Sequence, residues 1–130
     1  MLLLDSVVAH GDRAIECRAT IGEGHAFLEN GEVDVVVCVE LVAQAVAAYV
    51  GYQDRLAGRE PKLGFIVSCR EATFEVPALL LGDALIIQAN HVWGEIEVGS
   101  FKGTVQRSGV TIAAVELGVY RGPLDKVLSG

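Results

Sequence analysis

With 130 residues, the chain is long enough for one domain with a buried core, 1–130. Just over half of it is hydrophobic, with Gly frequent (15) and Pro rare (3), which fits strands joined by tight turns better than a disordered segment. A formal net charge of −7 argues against general nucleic-acid binding, which needs a basic surface to displace counterions.

Taken in chain order, Leu2 to Val8 is apolar with one break and reads as a first strand; His10 to Arg13 reads as a turn. The start, MLLLDSVV, lacks the basic region and long apolar run of a signal peptide. Ala14 to Ile21 alternates apolar and polar residues, as a half-buried strand does. Gly22 to Asp34 reads as irregular, with a turn at Asn30-Gly31. A helix follows over Val35 to Leu56, with Asp34 as its cap and Gly58 as its stop. Its first four turns are apolar nearly all round, which predicts a helix enclosed on all sides. Glu40 and Gln44 sit in the middle of this run, which makes a buried helix the expectation rather than a membrane span.

The rest reads as strands. Lys62 to Val76 is two strands or one bent at Gly64, and Gly82-Asp83 is a turn. Ala84 to Trp93, a turn near Gly94, and Glu95 to Arg107 follow. Ser108-Gly109 is a hairpin turn, and Val110 to Tyr120 closes the sheet with Val115, Leu117 and Val119 on one face. Two strands, one long buried helix and about four antiparallel strands describe an α+β architecture, the hotdog arrangement of a curved sheet wrapped around one helix. An open edge strand in such a sheet invites dimerisation.

The three cysteines, Cys17, Cys38 and Cys69, are odd in number, widely spaced and form no C-x-x-C pair. They suggest neither a disulfide framework nor a zinc site; buried free thiols and a reducing cytoplasm are the expectation. His10 in a turn and His91 in a strand read as structural, and Trp93 and Tyr120 as core or interface aromatics.

Five segments, in order, resemble one family. MLLLDSV (Met1 to Val7) is similar to its opening strand, P-[FM]-L-L-[VL]-D-x-V. GHAF (Gly24 to Phe27) is similar to the GHFP that carries its histidine, and ELVAQA (Glu40 to Ala45) to its E-x-x-A-Q-A helix motif. FEVPALLLGDAL (Phe74 to Leu85) is similar to its F-x-x-P-V-x-P-G-D-x-L hairpin, and SFKGTVQRSGVTIAAVEL to its closing strands. The family is that of the β-hydroxyacyl-acyl-carrier-protein dehydratases, and within it the branch of aryl-polyene biosynthesis clusters. The chain departs from the pattern in three places. The leading L-P-H-R-x-P is missing. The spacing from His25 to Glu40 is one residue longer than usual. Asp34-Val35-Val36-Val37 stands where the family has P-G-V-L.

The resemblance implies dehydration of a 3-hydroxyacyl thioester to a trans-2-enoyl thioester, with no metal or organic cofactor. His25 would take the α-proton, since neutral imidazole titrates near working pH. Glu40 would protonate the departing hydroxyl, its carboxyl kept protonated by an apolar helix. The two would face each other across a homodimer. Gln44, one turn on, would hold Glu40; a mutual bond that serves packing alone is the plain alternative. Gly64 and Phe65, matching the branch's L-G-F segment, would line the acyl tunnel or simply fill core. The substrate arm would be phosphopantetheine on an acyl carrier protein, or coenzyme A. Arg55, Arg59, Lys62 and Arg70 would give an acidic carrier a local basic patch. A thioesterase, and a non-catalytic acyl-binding subunit paired with a competent paralogue, remain open.

Overall fold

The computed structural model describes residues 2–58, 65–94 and 98–121. Among the described residues, eight strands and one helix follow one another as β1 (Ser6–His10), β2 (Ala14–Thr20), β3 (Glu32–Asp34), α1 (Val37–Leu56), β4 (Phe65–Phe74), β5 (Ala78–Leu80), β6 (Ala84–Gly94), β7 (Val98–Arg107) and β8 (Val110–Arg121). Six strands form one sheet in the order β1-β2-β6-β7-β8-β4, antiparallel at every step. β3 and β5 form a separate two-stranded sheet. Among the described residues no helix is long and apolar enough to cross a membrane.

One face of α1 packs on the large sheet. Cys38, Leu41, Val42, Ala45, Val46 and Tyr49 recur at helical spacing and are buried. They meet a face made by alternate strand residues, among them Ile87, Phe101, Val105 and Leu117. The approach is closest at Gly103 of β7, where an added Cβ would run into the Val42 Cγ1 methyl. Val115, Leu117 and Val119 share the core face of β8, as their alternation predicts. His91 is buried in β6 and stacks on Phe101, ring centroids 4.7 Å apart. His10 ends β1, its ring 4.8 Å from that of Tyr52.

The Asn-Gly and Ser-Gly turns form as expected. Asn30-Gly31 (φ 54° and 79°) and Ser108-Gly109 (φ 52° and 77°) hold consecutive left-handed residues, which suits the twist of the strands they join. The helix stops at Ala57, with Gly58 beyond it at φ 71°.

Several expectations are corrected. The first strand is not Leu2 to Val8: strand pairing starts at Ser6, because the Leu3 N–H goes to a side chain of α1 instead of to a neighbouring strand. Gly22 to Asp34 is not wholly irregular. It contains β3, too short to show a period and paired with a strand more than forty residues on. The helix begins at Val37 rather than Val35. Asp34 still acts at its entry, its Oδ1 accepting the Val36 N–H at 2.9 Å, but the flanking residue Val36 has no side-chain cap. From Phe65 onward β4 is one strand with a register shift between Cys69 and Glu71; Gly64 lies outside the described residues. Cys17 and Cys38 are buried free thiols, but Cys69 is exposed, since edge strand β4 has no neighbour beyond it. Of the two alternatives for Trp93 and Tyr120, core or interface, their exposure of 54% and 41% sets aside only the core.

The largest correction concerns α1. It is not enclosed on all sides: Val36 at its entry is 56% exposed, and Glu40, Ala47 and Tyr52 are also exposed. A single sheet can cover only one side of a helix, so the apolar residues of the other side stay open in the single chain.

Candidate functional site

The open side of α1 is where the polar pair lies. Gln44 Nε2 donates to Glu40 Oε1 at 3.2 Å, the contact that i, i+4 spacing predicts. The Gln44 carbonyl Oε1 in turn accepts the Leu3 backbone N–H at 2.7 Å. The second bond fixes the first. A backbone N–H can only donate, so the amide must turn its oxygen to Leu3 and its NH2 to Glu40. Leu2–Asp5 thereby acts as a strap across the helix, and Asp5 N–H joins Arg18 O at 2.7 Å just before β1.

Two grooves meet at this pair. One, of about 760 Å³, is lined by Leu2, Leu4, Asp5, Ser6, Val7, Ala47 and Ala48 together with Glu40 and Gln44. The other, of about 470 Å³, lies over the start of α1 and is lined by Leu3, Phe27, Asp34, Val36 and Val37, again with Glu40 and Gln44. Both are mainly apolar with a few polar groups, and both are within the size range of small-molecule sites. In the second, the Val36 N–H is taken by Asp34, Cys38 N–H by Val35 O and Val39 N–H by Val36 O. Asp83 secures this end of the molecule. Its Oδ2 accepts Leu80 N–H and pairs with Arg107 Nη1, each at 2.8 Å, tying the β3–β5 sheet that leads into α1 to β7 of the large one.

Glu40 is exposed in the single chain, so the apolar helix does not by itself supply the enclosure expected around its carboxyl. Cys38, two residues earlier, points the other way. Burial pushes its thiol up to about 11, against a smaller opposing pull from Arg107. Such a thiol is a poor nucleophile.

His25 is half-buried in the loop between β2 and β3. Three bonds hold it: His25 N–H to Gly22 O and Leu28 N–H to His25 O, each 3.1 Å, and Phe27 N–H to His25 Nδ1 at 3.2 Å. Its Nε2 is shielded from solvent and meets no hydrogen-bond partner among the described residues. His25 lines neither groove; Phe27 does, its ring 6.0 Å from the imidazole. The chain thus joins Glu40 and Gln44 and leaves His25 off their grooves. Phe65 opens β4, and Gly64 lies outside the described residues. Of the basic residues, Arg55 is exposed at the helix end with its guanidinium 5.8 Å from the Tyr52 ring centroid, and Arg70 is exposed on β4; Arg59 and Lys62 lie outside the described residues. Among the described residues no three His, Cys, Asp or Glu side chains gather to hold a metal ion.

Sequence reasoning missed Leu3, Phe27 and Val36. Leu3 contributes a backbone N–H, which no residue type announces, and the other two are ordinary apolar residues until the fold sets them beside Glu40.

No curated protein matches the chain in sequence. Solved structures match its fold. The dehydratase heterocomplex ApeI:P from Xenorhabdus doucetiae superposes with a TM-score of 0.92 at 22% identity, over 98% of this chain and 88% of that one. The phenylacetic acid degradation protein PaaI from Thermus thermophilus gives 0.65 at 13% identity, over 90% and 92%. Zebra fish thioesterase superfamily member 2 gives 0.63 at 16% identity, over 88% and 78%. The fold is therefore the expected hotdog, shared by dehydratases and thioesterases alike. A sequence-family model distinguishes them. The ApeP-like model, described as ApeP dehydratase, matches residues 1–129, and the chain belongs to that dehydratase family.

Proposed function

We propose that the chain removes water from a 3-hydroxyacyl thioester to give a trans-2-enoyl thioester, with Glu40 and His25 as its reacting side chains. The observation that carries this reading is the held carboxylate. Glu40 lies where two grooves meet, and Gln44 is fixed by Leu3 so that it faces it. A thioester could lie in one groove with its acyl chain in the other and its β-carbon beside Glu40. Because His25 lines neither groove of its own chain, the pair is completed by a second subunit, each histidine meeting the other chain's glutamate. The exposed apolar side of α1 is then covered by that partner. The thioester arm is phosphopantetheine on an acyl carrier protein, or coenzyme A, with Arg55 and Arg70 available to an acidic carrier.

A second reading has one specific support. The ApeI:P structure is a heterocomplex. This chain would then pair with a hotdog paralogue and lend it one residue. Mass spectrometry tests both. A 3-hydroxyacyl carrier-protein thioester is incubated with the chain alone and with its paralogue, wild type beside Glu40→Gln and His25→Ala. Loss of one water with the chain alone, absent in Glu40→Gln, supports the first reading. Loss only with the paralogue supports the second. Free acid in place of the enoyl thioester would make the protein a thioesterase.

A further inference from the structure

We propose that the open side of α1 holds the carrier arm of the substrate, running from Glu40 toward the end of the helix, and that Arg55 binds the phosphate at the far end of that arm. The inference rests on the thioester reading and assigns a part of the substrate to each groove. Its ground is a third groove, of about 450 Å³, lined among the described residues by Ala48, Gly51, Tyr52 and Arg55. Ala48 also lines the groove of about 760 Å³ that reaches Glu40, so the two adjoin along one side of the helix. Glu40, Gln44, Ala47, Gly51 and Arg55 recur at steps of three or four residues and therefore form one line along α1.

Charge sets the direction of the arm. Among the described residues, the two grooves that meet at Glu40 carry Asp5 and Asp34 besides Glu40 itself, and no cation. The groove at the helix end carries Arg55. Its guanidinium lies 5.8 Å from the Tyr52 ring centroid, a planar donor set over an aromatic face. Such a fork binds phosphate oxygens in pairs. An arm borne by a carrier protein ends in one singly charged phosphodiester, which one guanidinium matches. Coenzyme A continues into further phosphates, for which the described residues of this groove supply no second cation. The occupant is therefore the arm of a carrier protein.

Length and polarity agree. Fifteen residues at about 1.5 Å each put Arg55 about 22 Å beyond Glu40 along the helix axis. From its β-carbon to its phosphorus an extended phosphopantetheine thioester has about sixteen bonds, or about 19 Å at ~1.2 Å per bond. The difference is shorter than an arginine side chain. Asp5 and Ser6 offer polar atoms to the two amides of the arm. The line is also open, since a Cβ added at Gly51 would meet no heavy atom within 4 Å. The groove walled by Leu3, Phe27, Val36 and Val37 is left for the acyl chain. A partner subunit over this side would roof the arm.

The test compares 3-hydroxyacyl thioesters of phosphopantetheine, pantetheine and N-acetylcysteamine, with the chain alone and with its paralogue. In the wild type, removing the phosphate should lower kcat/KM about tenfold, through KM, and in Arg55→Ala the two long arms should be nearly equal. Gly51→Leu puts a side chain across the line. It should slow both long arms about tenfold more than the N-acetylcysteamine thioester, whose arm ends before that point. A coenzyme A thioester should be no better a substrate than the phosphopantetheine thioester. Three results would overturn the placement while leaving the protein a dehydratase: an equal loss on phosphate removal in wild type and Arg55→Ala, a folded Gly51→Leu that slows all three substrates alike, or a clear preference for the coenzyme A thioester. A wild type that removes water from none of them, alone or with its paralogue, would end the dehydratase reading itself. Calorimetry would then still decide the placement, by whether the wild type binds phosphopantetheine more tightly than pantetheine and Arg55→Ala does not.

Discussion

The two sides of α1 are built from similar residues and do different work. On the sheet side, Leu41, Val42, Ala45 and Val46 have no exposed surface. On the other side, Val36, Glu40 and Ala47 are open, and the only charge among them is the carboxylate of Glu40. Sheet-side residues have their contacts within the chain, so changing them should alter stability. Open-side residues have few such contacts, so changing them should alter chemistry or assembly and leave the fold in place. Apolar character alone does not separate these roles; coverage does.

Experiments that break this division can be ranked by size. Glu40→Gln should lower dehydration by on the order of 10²–10⁴, the usual contribution of a positioned acid or base. Its urea midpoint should shift little, because exposed sites typically change stability by within about 0.5 kcal/mol. A large loss of stability would mean that Glu40 serves packing. Leu41→Ala removes a fully buried side chain one residue away and should cost about 2–5 kcal/mol. A near-neutral result in denaturant melts would contradict the packing described. Gly103→Ala places a methyl against Val42 and should cost about 1–3 kcal/mol by overpacking, read in the same way. Were it stabilising, the helix would stand farther from β7 than described.

A smaller effect comes from Cys38. Its folded value, about 11, lies above the ordinary thiol value of 9.0 because burial disfavours the thiolate. Between these values the unfolded chain loses the proton and the folded chain keeps it. The stability contribution is therefore complete below pH 9.0 and declines as pH rises toward about 11. The urea midpoint of the wild type should fall across this window more than that of Cys38→Ala. Equal slopes would show that the thiol is not enclosed. Thiol labelling of the native protein should modify the exposed Cys69 and spare Cys17 and Cys38.

Much of the fold was legible in the sequence because local chemistry recorded it. Period two in β8, the Asn-Gly and Ser-Gly turns and the helix stop before Gly58 each follow from a few adjacent residues. The Glu40–Gln44 contact was legible for the same reason, since four residues on a helix make one turn. β3 was not, because a three-residue strand has no period and pairs with a distant segment. Neither was the Leu3 bond that fixes Gln44, nor the exposure of Cys69, which depends on β4 being an edge.

By itself, the order of residues determined the long helix and most strands, the apolar mass of the core, the position of the polar pair within α1 and, through five ordered segments, the family. The tertiary structure decided which side of α1 is covered and how the Gln44 amide is turned. The division has a physical cause. Periodicity and turn preference act between near neighbours in the chain. Coverage and hydrogen-bond direction depend on groups such as Leu3 and Gln44, forty-one positions apart, that meet only once the chain has folded.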